Sequence, residues 1–63
     1  NMLDTFINDI LSNAHFSKVQ KDYLMDCIES DMSYEEIKRI AKPEIDVEMM
    51  KRLVRYYNKE NNK

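Results

Sequence analysis

The sequence predicts an all-α fold: four short helices, paired as two helical hairpins that stack around one core. Apolar residues recur at helical spacing in four segments. Capping residues precede three of those segments, and the single proline of a 63-residue chain without glycine stands between the last two.

A first helix, α1, is expected over residues 3–13, where Phe6, Ile7, Ile10 and Leu11 recur at i, i+1, i+4 and i+5. Val19, Tyr23, Leu24, Cys27 and Ile28 repeat that pattern and predict α2 over 18–30, its start marked by Ser17 and Gln20 at capping-box spacing. A shorter α3 is expected over 34–41 with Ile37, Ile40 and Ala41 inward, and Ser33 with Glu36 forms its capping box. Met49, Met50, Leu53, Val54 and Tyr57 predict α4 over 47–58, capped by Asp46. Met32 precedes one cap and Ile45 another, each placed to pack on an apolar residue of the helix that follows, Ile37 and Met50. Pro43 disfavours helical geometry at Lys42 and so ends α3. The tail, 59–63, is expected to fray. The predicted core is Phe6, Ile7, Ile10, Leu11, Phe16, Val19, Leu24, Cys27, Ile28, Met32, Ile37, Ile40, Ala41, Ile45, Met50, Leu53, Val54 and Tyr57.

Composition limits the function classes. A chain this short buries only about 60% of the surface it exposes when unfolded, so one domain spanning 1–63 is expected, with modest stability. Cys27 is the only cysteine; no intrachain disulfide can form, and a reducing, cytoplasmic setting fits best. One cysteine and one histidine, His15, do not make a zinc set, and no acidic stretch has the glycine-centred spacing of a calcium loop. Neither metal nor cofactor is expected. No apolar run approaches the ~20 residues that cross a bilayer, so no membrane association is expected. The net charge of −2 is unevenly spread: residues 1–37 carry two basic and eight acidic groups, and residues 38–63 carry eight basic and four acidic.

The chain also resembles itself. Sliding it by 29 aligns Leu11 with Ile40, Phe16 with Ile45, Ser17 with Asp46 and Leu24 with Leu53. A period near 30, with a helix, a tight apolar junction and a capped second helix, is the pattern of a helical repeat; the halves are 3–30 and 33–58. The stretch from Glu29 to Tyr57, ESDMSYEEIKRIAKPEIDVEMMKRLVRYY, resembles the short helical repeats of proteins encoded by conjugative and other mobile elements of Firmicutes and related gut bacteria. Met32, Ser33, Ile40, Ala41, Pro43, Ile45, Asp46, Met49 and Leu53 occupy the matching places, while Glu29-Ser30-Asp31 stands where those repeats usually carry glycine. The resemblance implies an all-helical module attached to a larger bacterial protein of DNA transfer or maintenance, with no catalytic residues to carry over.

An enzyme is not expected, because a 63-residue bundle has little room for a concave site of convergent polar groups. Cys27 and His15 are the one nucleophile–base pair on offer, and Cys27 lies on an apolar stripe where a thiol usually only packs. The acidic residues Asp22, Asp26 and Glu29 of α2, with Asp31 beyond, read as a solvated face that is open to a basic partner. The leading expectation is a noncatalytic interaction module that binds another protein, neighbouring repeats or itself through Tyr23, Met25, Arg52 and Tyr56, outward on α2 and α4. The alternative is a small helix-turn-helix-like DNA-binding domain. It would use Lys51, Arg52, Arg55 and Lys59 on α4, although a pI of 5.3 lacks the basic footprint of a stand-alone DNA binder.

Overall fold

The computed structural model describes residues 1–61 and contains, among them, four α-helices and no strand. They are α1, Met2–Ser12; α2, Lys18–Ile28; α3, Tyr34–Ile40; and α4, Val47–Asn61. Each helix starts where a side-chain oxygen is available to its first turn. Ser17 Oγ accepts from the Gln20 N–H at 3.1 Å, and Gln20 Oε1 accepts from the Ser17 N–H at 2.7 Å, a complete reciprocal box. Ser33 and Glu36 form the second box, and Asp46 Oδ1 caps α4 through the Met49 N–H at 2.9 Å.

The helix ends differ from expectation for local reasons. α2 stops at Ile28, two residues short of the expected end, because the Ser30 hydroxyl donates to the Cys27 carbonyl at 2.6 Å and then accepts from the Met32 N–H at 3.2 Å. α3 ends at Ile40, with Ala41 turned out of helical geometry at ψ 65° ahead of Lys42-Pro43. α4 continues through Lys59 and Glu60 to Asn61, where fraying was expected; Lys59 lies in its last turn, against the negative end of the helix dipole. The rest of the expected tail, 62 and 63, lies outside the described residues.

α2 is the central element and packs on each of the other three helices, while α3 also packs on α4. Ile10, Phe16, Leu24, Cys27, Ile37, Ile40 and Met50 form the core, and Leu24, Ile40 and Met50, one from each of α2, α3 and α4, have no exposed surface. Met32, Ala41, Ile45, Val47, Leu53, Val54 and Tyr57 are half-buried against it. α1 lies on α2, and its Phe6 meets Tyr34 of α3 edge-on at 5.0 Å.

Three expected core residues fall elsewhere. Val19 is 61% exposed and Leu11 49%, and Ile7 is half-buried outside the core cluster. In α2 the inward stripe runs Gln20, Leu24, Cys27, at i, i+4 and i+7, which turns Val19 about 100° away from it. On α1, Ile10 takes the buried position, and Leu11, the next residue, is carried past the edge of α2.

Gln20, not an apolar side chain, therefore occupies the inner face of α2 at its start. Its Nε2 donates to the Pro43 carbonyl at 3.0 Å and to the Ile45 carbonyl at 2.8 Å, so the start of α2 is bonded to the junction that precedes α4. The two junctions follow one course. Phe16 N–H donates to Asn13 O at 3.2 Å and Ile45 N–H to Lys42 O at 3.0 Å, each turn delivering one apolar side chain inward and one capping residue to the next helix.

The outer face of α4 and the groove beside it

α4 is amphipathic by its own spacing: Met50 is buried, and Val47, Leu53, Val54 and Tyr57 flank it on the inward side. The opposite side carries Met49, Arg52, Arg55, Tyr56 and Lys59, all exposed, with Tyr56 at 58% and Met49 at 45%. Arg52, Tyr56 and Lys59 stand at i, i+4 and i+7 and so form one stripe. The Tyr56 ring leans edge-on against Tyr57 at 5.9 Å, and Tyr57 in turn lies under the Arg39 guanidinium of α3 at 5.8 Å.

The expected set of four cations does not stay together. Lys51 is half-buried, pairs with Glu48 at 3.5 Å and reaches over the Tyr23 ring at 5.9 Å, on the side of α4 that faces α2. Arg52, Arg55 and Lys59 remain on the outer side and make no salt bridge among the described residues.

Tyr23 and Met25, expected to point outward, are both half-buried against the core. The correction for Met25 follows from geometry: Lys21, Met25 and Ile28 flank the inner stripe of α2, next to α1, and Lys21 Nζ donates to the Leu11 carbonyl at 2.9 Å. Tyr23 lies on the other flank, at the rim of an open groove of about 550 Å³. Cys27, Met32 and Val54 supply apolar surface in that groove, Asp26, Asp31 and Glu36 supply carboxylates, and Ser30 and Asn58 complete the lining. Sequence reading grouped Asp26 and Asp31 with Asp22 and Glu29 as a solvated face. All four are exposed as expected; Asp22 pairs with Lys18 at 2.7 Å, and Asp26 and Asp31 line the groove together with Glu36. The Glu36 carboxylate is meanwhile held by the α3 capping box.

The groove's polar groups stay neutral where they are not carboxylates. Burial pushes the Tyr23 phenol up to about 12, aided by the neighbouring Cys27 thiol and Asp26 carboxylate and opposed by the Arg55 cation. Burial also pushes the Cys27 thiol up, against a hydrogen bond from Tyr23. Cys27 is 5% exposed and His15 is an exposed residue of the first junction, with the length of α2, roughly 15 Å, between them. They are not brought together as nucleophile and base. Among the described residues no three His, Cys, Asp or Glu side chains are placed to hold a metal ion, and no helix is long and apolar enough to cross a membrane. Comparison of the chain with protein-family models, with curated proteins and with solved structures finds no match in any of the three.

Proposed function

We propose that this chain is a noncatalytic helical protein–protein interaction module that docks through the outer face of α4. The observation that carries the reading is the exposed trio Met49, Arg52 and Tyr56 on the side of α4 opposite the one that packs on the core. Tyrosine, arginine and methionine are the side chains enriched at protein interfaces, and Tyr56 offers a large, rigid contact area at low entropic cost. Tyr23 extends the surface at the groove rim, whereas Met25, packed against the core on the α1 side of α2, is no part of it. Attachment to a larger bacterial protein of mobile-element type is part of the same proposal. It is supported by the motif from Met32 to Leu53 and by the common course of the junctions at 13–17 and 42–46, 29 residues apart. Under that reading neighbouring repeats are the nearest partners. The free, buried Cys27 fits a cytoplasmic setting.

A photo-crosslinking amino acid placed at Tyr56 in the native host tests the reading. We expect discrete protein adducts that disappear with Arg52→Glu, and none from the same group placed at Asp9 on α1. Adducts that are equal at both positions and insensitive to Arg52→Glu overturn it.

The second reading, a small helix-turn-helix-like DNA-binding domain, draws on Arg52, Arg55 and Lys59, three cations on one helix side with no salt bridge among the described residues. Against it stand the carboxylates of Asp26, Asp31 and Glu36 beside that face, which repel a phosphate backbone, and the diversion of Lys51. Fluorescence anisotropy with labelled duplex DNA at about 50 and about 200 mM salt separates the two: a DNA reader loses affinity steeply with salt, whereas the proposed module does not bind.

A further inference from the structure

We propose that the groove between α2, the α2–α3 connection and α4 receives the Arg52–Tyr56–Lys59 stripe of a second copy of this chain. The inference rests on the protein-interaction reading and names a partner for it. Its warrant is complementarity in both chemistry and order. The stripe presents a cation, an aromatic ring and a cation at i, i+4 and i+7, the spacing with which a helix fills a groove. The groove offers apolar surface from Met32 and Val54 and carboxylates from Asp26 and Asp31. Tyr56 seats on the apolar part. Arg52 and Lys59, two turns and about 10 Å apart along α4, lay their aliphatic stems beside it and carry their charges to the carboxylates.

Stripe and groove lie on different sides of α4, which makes the pairing head-to-tail. Val54 and Asn58 line the groove, and at about 100° per residue Lys59, Arg52 and Tyr56 stand between about 100° and about 160° around the helix from them. Each copy therefore gives its stripe to one neighbour and receives the stripe of another, a contact that can repeat from copy to copy. Arg55 marks the border, close enough to Tyr23 to oppose the rise of its pKa. The charges concerned are otherwise uncommitted: Arg52, Lys59, Asp26 and Asp31 form no salt bridge among the described residues. The division of charge along the chain, acidic to residue 37 and basic after it, expresses the same complementarity in sequence.

Such an interface is small, and the association it supports is weak and salt-dependent. Sedimentation equilibrium of the chain up to about 1 mM tests it. In about 50 mM salt the mass is expected to rise above that of the monomer with concentration, and in about 500 mM salt to return to it. Arg52→Glu/Lys59→Glu alone, and Asp26→Lys/Asp31→Lys alone, should each weaken association about tenfold or more, and an equimolar mixture of the two should restore it as a heterodimer. All four positions are exposed, so the variants should keep the helical circular dichroism of the parent. Should one of them fail to fold, concentration-dependent NMR shifts of the Met32 and Val54 methyl groups in the parent chain supply the same test.

A monomer throughout in low salt, shifts at those methyl groups that do not move with concentration, or a mixture that stays monomeric each overturns the proposal. Loss of self-pairing together with foreign adducts from the crosslinker at Tyr56 would leave the interaction-module reading standing. Loss of both would remove the two together.

Discussion

Gln20 is the one buried polar side chain among the described residues, and it is bonded at both ends of its amide. Its oxygen accepts from the backbone of its own cap, and its nitrogen serves two carbonyls of the second junction. Gln20→Ala would leave Pro43 and Ile45 carbonyls short of a donor in a half-buried place and lose half of the box; we expect a cost of about 1–3 kcal/mol, read from the urea midpoint. Gln20→Glu keeps the acceptor and loses the donor, so it should recover little of that loss at neutral pH. Tyr23 makes a separate prediction about alkaline pH. Its phenol ionises near 12 in the folded chain against an ordinary 10.0, so between those values the native state holds a proton that the unfolded chain has lost. Stability present below about pH 10 should therefore fall as pH rises towards about 12, and Tyr23→Phe should flatten that decline, leaving the smaller contribution of the Cys27 thiol, which has the same sign. An unaltered alkaline limb in Tyr23→Phe would show that burial does not hold the phenol neutral.

At the scale of the element, the capping boxes matter most where the helix is shortest. α3 has seven residues, well below the length at which an isolated helix is stable, so its first turn depends on the box and on packing of Ile37 and Ile40. Ser33→Ala removes the acceptor for the Glu36 N–H and should cost about 1 kcal/mol in chemical denaturation. Val19→Ala on the first turn of α2 should stay within about 0.5 kcal/mol, because that side chain faces solvent. A large loss in Val19→Ala would contradict the register in which Gln20, Leu24 and Cys27 face inward. Capping was legible in the sequence because it is local: a hydroxyl or carboxylate three residues ahead of a donor needs nothing from the rest of the chain. The end of α2 was less so, since Ser30 is an ordinary helix-compatible residue until its hydroxyl claims the Cys27 carbonyl.

At the scale of the whole molecule, the Cα extents of 36 × 27 × 15 Å describe a flattened body with a thin core. Typical stability per residue puts a chain of this length at about 3–9 kcal/mol. Ile40, with no exposed surface where α2, α3 and α4 meet, should cost about 2–5 kcal/mol on truncation to alanine, enough to leave much of the population unfolded. Leu53 keeps one side in solvent, so Leu53→Ala should cost clearly less. Thermal unfolding of the two variants orders them, and equal losses would mean that α4 is buried more deeply than its half-exposed Leu53 indicates. The same flatness leaves Leu11 and Val19 largely exposed, which is why the sequence overstated the core: an amphipathic pattern says which side of a helix is apolar, not how wide a neighbour will cover it.

Helix number and type, three helix starts, the stop imposed by Pro43 and the apolar residue of each junction were all determined by the sequence itself. These rest on forces that act within a few residues: 3.6-residue periodicity, side-chain capping and the geometry of proline. Tertiary structure alone decided that Gln20 rather than Val19 faces inward, that Met25 packs and Lys51 turns towards Tyr23, and that Asp26, Asp31 and Glu36 meet around one groove. Each of those outcomes depends on where a second or third helix lies against the first, and residues tens of positions apart meet only when the helices pack.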